Sequence, residues 1–256
     1  ELAHLSGLRN LAVLDLSQAP LADDGLRHLA PIASLRHLRL ADTRITDAGI
    51  SNLERLPGLR VLTAANTAMT DDALVHLAGL KELKSLDLSG TRITDAGLAH
   101  IGGLAKLEAL YIADTAVTGA GLTRLAGLER LTELDISGTR ITDADLSSLA
   151  CLPRLSTLAL NETAISDAGL ASLGKLEALT SLDLTSTYTT DQGMASLAAL
   201  AGLRWLDLSG TEVTDEGLMI LGCMPKLRGM CAGGSKVTSE GAAALKRLLP
   251  ELRNVY

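Results

Sequence analysis

The chain has no Phe, one Trp and three Tyr among 256 residues, yet 47% of its residues are hydrophobic. Leu and Ala must carry the core, and small aliphatic side chains fill thin repeated layers better than one globular centre. Basic clusters are also lacking. The net charge is −7 and no run of Lys or Arg exceeds two residues, which excludes a broad phosphate-binding surface and, with it, nucleic acid as a partner. No apolar run approaches the roughly 20 residues of a membrane span. No secretory signal pattern is visible at the start. Cysteine is scarce: Cys151, Cys223 and Cys231 cannot all pair within one chain. Cys151 and Cys223 fall three repeats apart, about 14 Å at the strand spacing of a sheet, too far for a disulfide. Free thiols point to a reducing compartment.

What is present is a repeat. Leu8, Leu11, Leu14 and Leu16 recur 24 residues later as Ile32, Leu35, Leu38 and Leu40, and the series runs on to Met224 without an insertion. Residues 8–247 thus hold ten frames, residues 1–7 the end of an earlier one, and residues 248–256 a closing turn and strand, all within a single domain 1–256. The chain opens inside a repeat, as expected of a fragment or processed chain. The stretch Leu83, Leu86, Leu88 ends in alternation and predicts a short strand. A Thr follows in most frames (Thr43, Thr67, Thr91, Thr115, Thr139, Thr163, Thr187, Thr211). Turned inward, its hydroxyl is expected to bond the backbone of adjacent coils as a ladder. A second Thr or Ser, such as Thr94, suits a helix N-cap, with Asp95 placed for the helix dipole. Leu98 and Ile101 share one face of a short helix, which Gly97 weakens toward a 3₁₀ turn. A weaker 48-residue rhythm, Arg44, Arg92 and Arg140 alternating with Ala68, Ala116 and Ala164, suggests growth by duplication of pairs of repeats.

The pattern LxxLxLxxTxITDxGLxxLxxL, followed from Leu131 to Leu152 with Ile136 at one Leu and Asp145 at the Gly, resembles the leucine-rich repeat of the ribonuclease-inhibitor-like class. It is similar to the 24-residue repeats of bacterial proteins, including type III effectors, and to those of F-box proteins. The resemblance implies an α/β, right-handed solenoid, a horseshoe with a concave parallel sheet and short outer helices. It implies protein binding through the concave face. The alternative it suggests is the substrate-recognition part of an effector acting in host ubiquitination, its catalytic or F-box segment lying outside this chain. A structural spacer is a third reading. The expected location is the cytoplasm, bacterial or, for an effector, the host's.

No metalloprotease, phosphate-loop, nucleophile-elbow or CxxC motif occurs, so no catalytic residue, metal or cofactor is assigned and the chain is not expected to be an enzyme. The candidate partner-binding residues are those predicted to point outward from the strands: Asp87, Tyr111, Glu133, Asp135, Asp183, Trp205 and Asp207. Aspartate at such a position can also be plain repeat filler. A lone outward Trp is an interface anchor candidate. The acids favour a protein partner with a basic patch. His4, His28, His76 and His100 share a helix-side column that also holds Asn52, Arg124 and Ser148, and this column is read as tolerant surface rather than a metal site. Cys231, with no His in the adjoining frames, is read as inert. Asn161-Glu162-Thr163 is a formal glycosylation sequon whose Thr belongs to the buried column.

Overall fold

The computed structural model describes residues 2–255; Glu1 and Tyr256, within the predicted first and last segments, lie outside the described residues. The chain divides into two compact units, residues 1–131 and 132–256. In unit 1 the strands are β1 (Val13–Asp15), β2 (His37–Arg39), β3 (Val61–Thr63), β4 (Ser85–Asp87) and β5 (Ala109–Tyr111). Each pairs in parallel with the next, residue i opposite i+24, as in Leu38 with Leu62. Unit 2 repeats this with β6 (Glu133–Asp135), β7 (Thr157–Ala159), β8 (Ser181–Asp183), β9 (Trp205–Asp207) and β10 (Gly229–Cys231), and the short β11 (Asn254–Val255) follows in parallel with the register moved by one, Gly229 opposite Asn254. Short α- and 3₁₀-helices connect the strands, such as the α-helix Asp71–Leu77 and the 3₁₀ segment Asp143–Cys151. The fold is an α/β solenoid of parallel coils.

The period explains the core. From β2 to β9 each coil contributes the central strand residue (Leu62, Leu86, Leu158, Leu182), the two apolar residues before it and the helix pair such as Leu98 and Ile101, all buried. Aliphatic layers of this thickness leave no room for large aromatics, consistent with the composition. The turn after each strand needs a left-handed residue. Gly90, Gly138, Gly210 and Gly234 supply it freely, while Asp42, Asn66, Glu162 and others adopt φ near +55° to +58° at a conformational cost.

One expectation is overturned. The buried Thr column does not bond adjacent coils. Each hydroxyl donates to the carbonyl three residues earlier in its own coil, Thr139 Oγ1 to Ile136 O at 2.5 Å and Thr91 Oγ1 to Leu88 O at 2.5 Å. The reason is geometric: the strand carbonyls between coils are already taken by backbone amides, as when Leu40 N donates to Thr63 O, and the hydroxyl turns to the carbonyl three residues back, which in some coils also accepts the threonine's own amide, as Leu88 O does from Thr91 N.

The bonds between coils are made instead by the aspartate assigned to the helix dipole. Asp71 accepts from the amide of Thr94 at 2.7 Å and from its hydroxyl at 2.6 Å. In unit 1, Asp23, Asp47 and Asp95 do the same with Thr46, Thr70 and Thr118. In unit 2, Asp143, Asp167, Asp191 and Asp215 clamp Ser166, Thr190, Thr214 and Thr238. At the first turn of unit 2, Thr142 donates both its amide and its hydroxyl to Asp145 Oδ2 of its own coil. Gly97 does not turn its helix into a 3₁₀ turn: Asp95–Ile101 is α-helical, whereas the 3₁₀ segment Asp143–Cys151 carries Asp145 in that column. The glycine instead makes room for the clamp: a Cβ on Gly97 would lie 2.4 Å from Asp71 Oδ1. Ala73 holds the same column beside an intact Asp47 clamp, so one methyl group is tolerated where the backbone can give.

Candidate sheet-face site

The strands alternate as predicted, so the candidate residues stand on the solvent side of the sheet in their own units. In unit 1, Asp87 and Tyr111 are opposite each other on β4 and β5. Both are half-buried. Unit 2 gathers more. Glu133 and Asp135 end β6, and Asp183 and Asp207 are directly paired across β8 and β9. Trp205 is 37% exposed.

Each aspartate here also has a local task. Asp87, Asp135, Asp183 and Asp207 accept the amide two residues on, from Ser89, Ser137, Thr185 and Ser209 at 2.8–3.1 Å. This turn closes the strand. Trp205 is likewise more than an exposed ring. Gly229 is its cross-strand partner, and a Cβ there would meet the indole Cε3 at 2.3 Å. The indole therefore lies over Gly229, packed on one side and open on the other. A large apolar ring held this way loses little side-chain entropy on binding. Sequence inspection identified Trp205 as outward but not the glycine that seats it.

Cys231, at the end of β10, adjoins this surface. Burial raises its thiol pKa, and the charge of Asp207 raises it further, which keeps it protonated and unreactive. All three cysteines are free. Thr163 of the sequon is buried and bonds Leu160 O. His76 Nδ1 lies 2.6 Å from Glu54 Oε1, and among the described residues no group of three or more His, Cys, Asp or Glu is arranged to hold a metal. No described helix is long and apolar enough to cross a membrane.

The profile of a leucine-rich repeat region matches residues 1–254. The chain belongs to the leucine-rich-repeat family. Among solved structures, it is similar to an internalin of Listeria monocytogenes, inlF, at 18% identity and a TM-score of 0.60, over 97% of this chain and 87% of that one. It is also similar to internalin C2 of the same organism, inlC2, at 27% identity and a TM-score of 0.64, over 79% of this chain and 89% of that one. No curated protein matches in sequence. In all, 541 solved chains match this leucine-rich-repeat chain, so the fold by itself selects no partner.

Proposed function

We propose that this leucine-rich-repeat chain is a protein-binding module, and that in unit 2 the partner docks on the solvent face of the sheet. The observation that carries the reading is the seating of Trp205 over Gly229 beside the paired carboxylates of Asp183 and Asp207. A preorganised Trp is the kind of side chain that dominates interface hot spots. Glu133 and Asp135 extend the acidic surface, which suits a partner with a basic patch and quickens encounter at low salt. In unit 1, Asp87 and Tyr111 offer a smaller contact of the same kind. The free cysteines fit a reducing compartment.

The test is affinity capture of a partner, followed by binding kinetics on variants whose melting is checked in parallel. Trp205→Ala is expected to lower affinity by about 2 kcal/mol. Asp183→Lys with Asp207→Lys is expected mainly to slow association. Arg124→Ala, on the helix side of unit 1, is expected to change nothing. Weakening by Arg124→Ala alone, with the sheet-face variants binding normally, places the interface elsewhere.

A further inference from the structure

The outer side of unit 2 is not uniformly small and polar. At its C-terminal end Gly222, Pro225, Leu248, Leu249 and Pro250 line an apolar pocket of about 260 Å³. That is below the volume of an ordinary small-molecule site and suits one or two side chains. Leu248 is 55% exposed there. The end of the helix Ser239–Leu248 meets the preceding 3₁₀ turn here because Gly222 has no side chain: a Cβ would lie 2.7 Å from Leu248 Cδ1.

Arg228 forms the lip of this pocket. Its Nη1 donates to the carbonyls of Pro225 at 2.7 Å and Leu227 at 3.1 Å, which fixes the guanidinium in place. Arg228 is also the middle rung of a ladder. Its amide donates to Arg204 O, and the amide of Arg253 donates to Arg228 O. Three arginines therefore stand on neighbouring coils, at the roughly 4.8 Å spacing of a sheet. All three are exposed, and among the described residues none forms an ion pair. In the equivalent column of unit 1, Lys84 is paired with Glu108 at 2.8 Å, while Arg36 donates from Nη1 to Ala33 O and Leu35 O as Arg228 does to its own loop; what sets the unit 2 column apart is the apolar pocket that Arg228 lines. Like charges directly opposite across strands repel, and in unit 2 no such pairing offsets that repulsion. Glu251 is the sole carboxylate lining the pocket. Lys226 and Arg247 flank lining residues in sequence and add to the positive surround.

We infer that the C-terminal end of unit 2 is a second docking surface, for an acidic peptide segment that places an apolar side chain in the Leu248 pocket and its carboxylates on the Arg204–Arg228–Arg253 ladder. The carboxylates supply the counter-charge the ladder lacks. This is opposite in sign to the acidic sheet face and does not depend on it.

The test uses a short fluorescent peptide of alternating Glu and Leu, with Gln/Leu and Glu/Ser peptides and vesicles of anionic phospholipid as comparisons. The Glu/Leu peptide is expected to bind, to weaken as salt rises, and to outbind both comparison peptides. Arg228→Gln with Arg253→Gln, and separately Leu248→Ser, are expected to weaken it about tenfold or more, with thermal melting retained. Asp183→Asn is expected to leave it unchanged, so the outcome here is separable from that of the sheet face. Equal binding of the Gln/Leu peptide, binding indifferent to salt, or binding of the anionic vesicles without the peptide would each overturn the proposal. Salt dependence in the unsubstituted protein decides the matter even where a variant fails to fold.

Discussion

The carboxylate of Asp71 reaches across to the next coil and accepts both the amide and the hydroxyl of Thr94, at 2.7 and 2.6 Å. One side chain thus satisfies an otherwise unpaired helix N-terminal amide region and ties two coils together. Thr94 in turn caps its own helix, its hydroxyl accepting from Ala96 N at 3.3 Å. Stacking and helix initiation are coupled through a single hydroxyl.

Asp71→Ala should therefore cost more than a surface substitution. It leaves Thr94 without its acceptor, at about 1–3 kcal/mol for the orphaned groups. Urea unfolding of Asp71→Ala, Thr94→Val and the double variant forms a cycle. The expected result is a double variant little worse than either single one. Strict additivity would show that the pair does not interact.

Thr139 tests the corrected role of the buried threonines. Its hydroxyl serves Ile136 O within one coil, so Thr139→Val should remove about 1 kcal/mol, the net value of one hydrogen bond. Asp143→Ala, which breaks the clamp to Ser166, should cost more. The reverse order in denaturant midpoints would restore the threonine as the tie between coils.

Acid should loosen the Asp215 clamp. The hydroxyl of Thr238, then its amide, hold the Asp215 carboxyl below its ordinary value of 3.8. A lowered folded-state pKa means that the stabilisation is present above that ordinary value and is lost as pH falls through the folded one. Thr238→Val should raise the Asp215 pKa and move the onset of acid unfolding to higher pH. Carboxyl NMR titration of both proteins reads this directly; an unmoved Asp215 titration would mean that the hydroxyl does not set it.

The cysteines should separate by rate. Burial raises the thiol pKa of Cys151, and burial with Asp207 raises that of Cys231, whereas Cys223 is exposed. At about pH 8 a thiol reagent attacks the thiolate, so the folded protein should show one fast thiol, Cys223, and two slow ones. The unfolded protein should show three alike. Mass mapping of the first labelled site checks the assignment, and early modification of Cys231 would contradict it.

By itself the sequence determined the repeat, the strand positions, the inward and outward columns and the family, because all of these follow from a strict 24-residue period and from alternation along a strand. It also determined that Trp205 and the aspartates face outward. Tertiary structure alone decided which coil each polar group serves. Asp71 and Thr94 are 23 residues apart, and whether a carboxylate reaches its own helix or the next coil depends on the offset between stacked coils, which local periodicity does not encode. The same holds for the threonine hydroxyls and for the indole of Trp205 settling on Gly229; Arg204 and Arg228 share a column that the period already gives, and the structure adds Arg253 and the Leu248 pocket beside it.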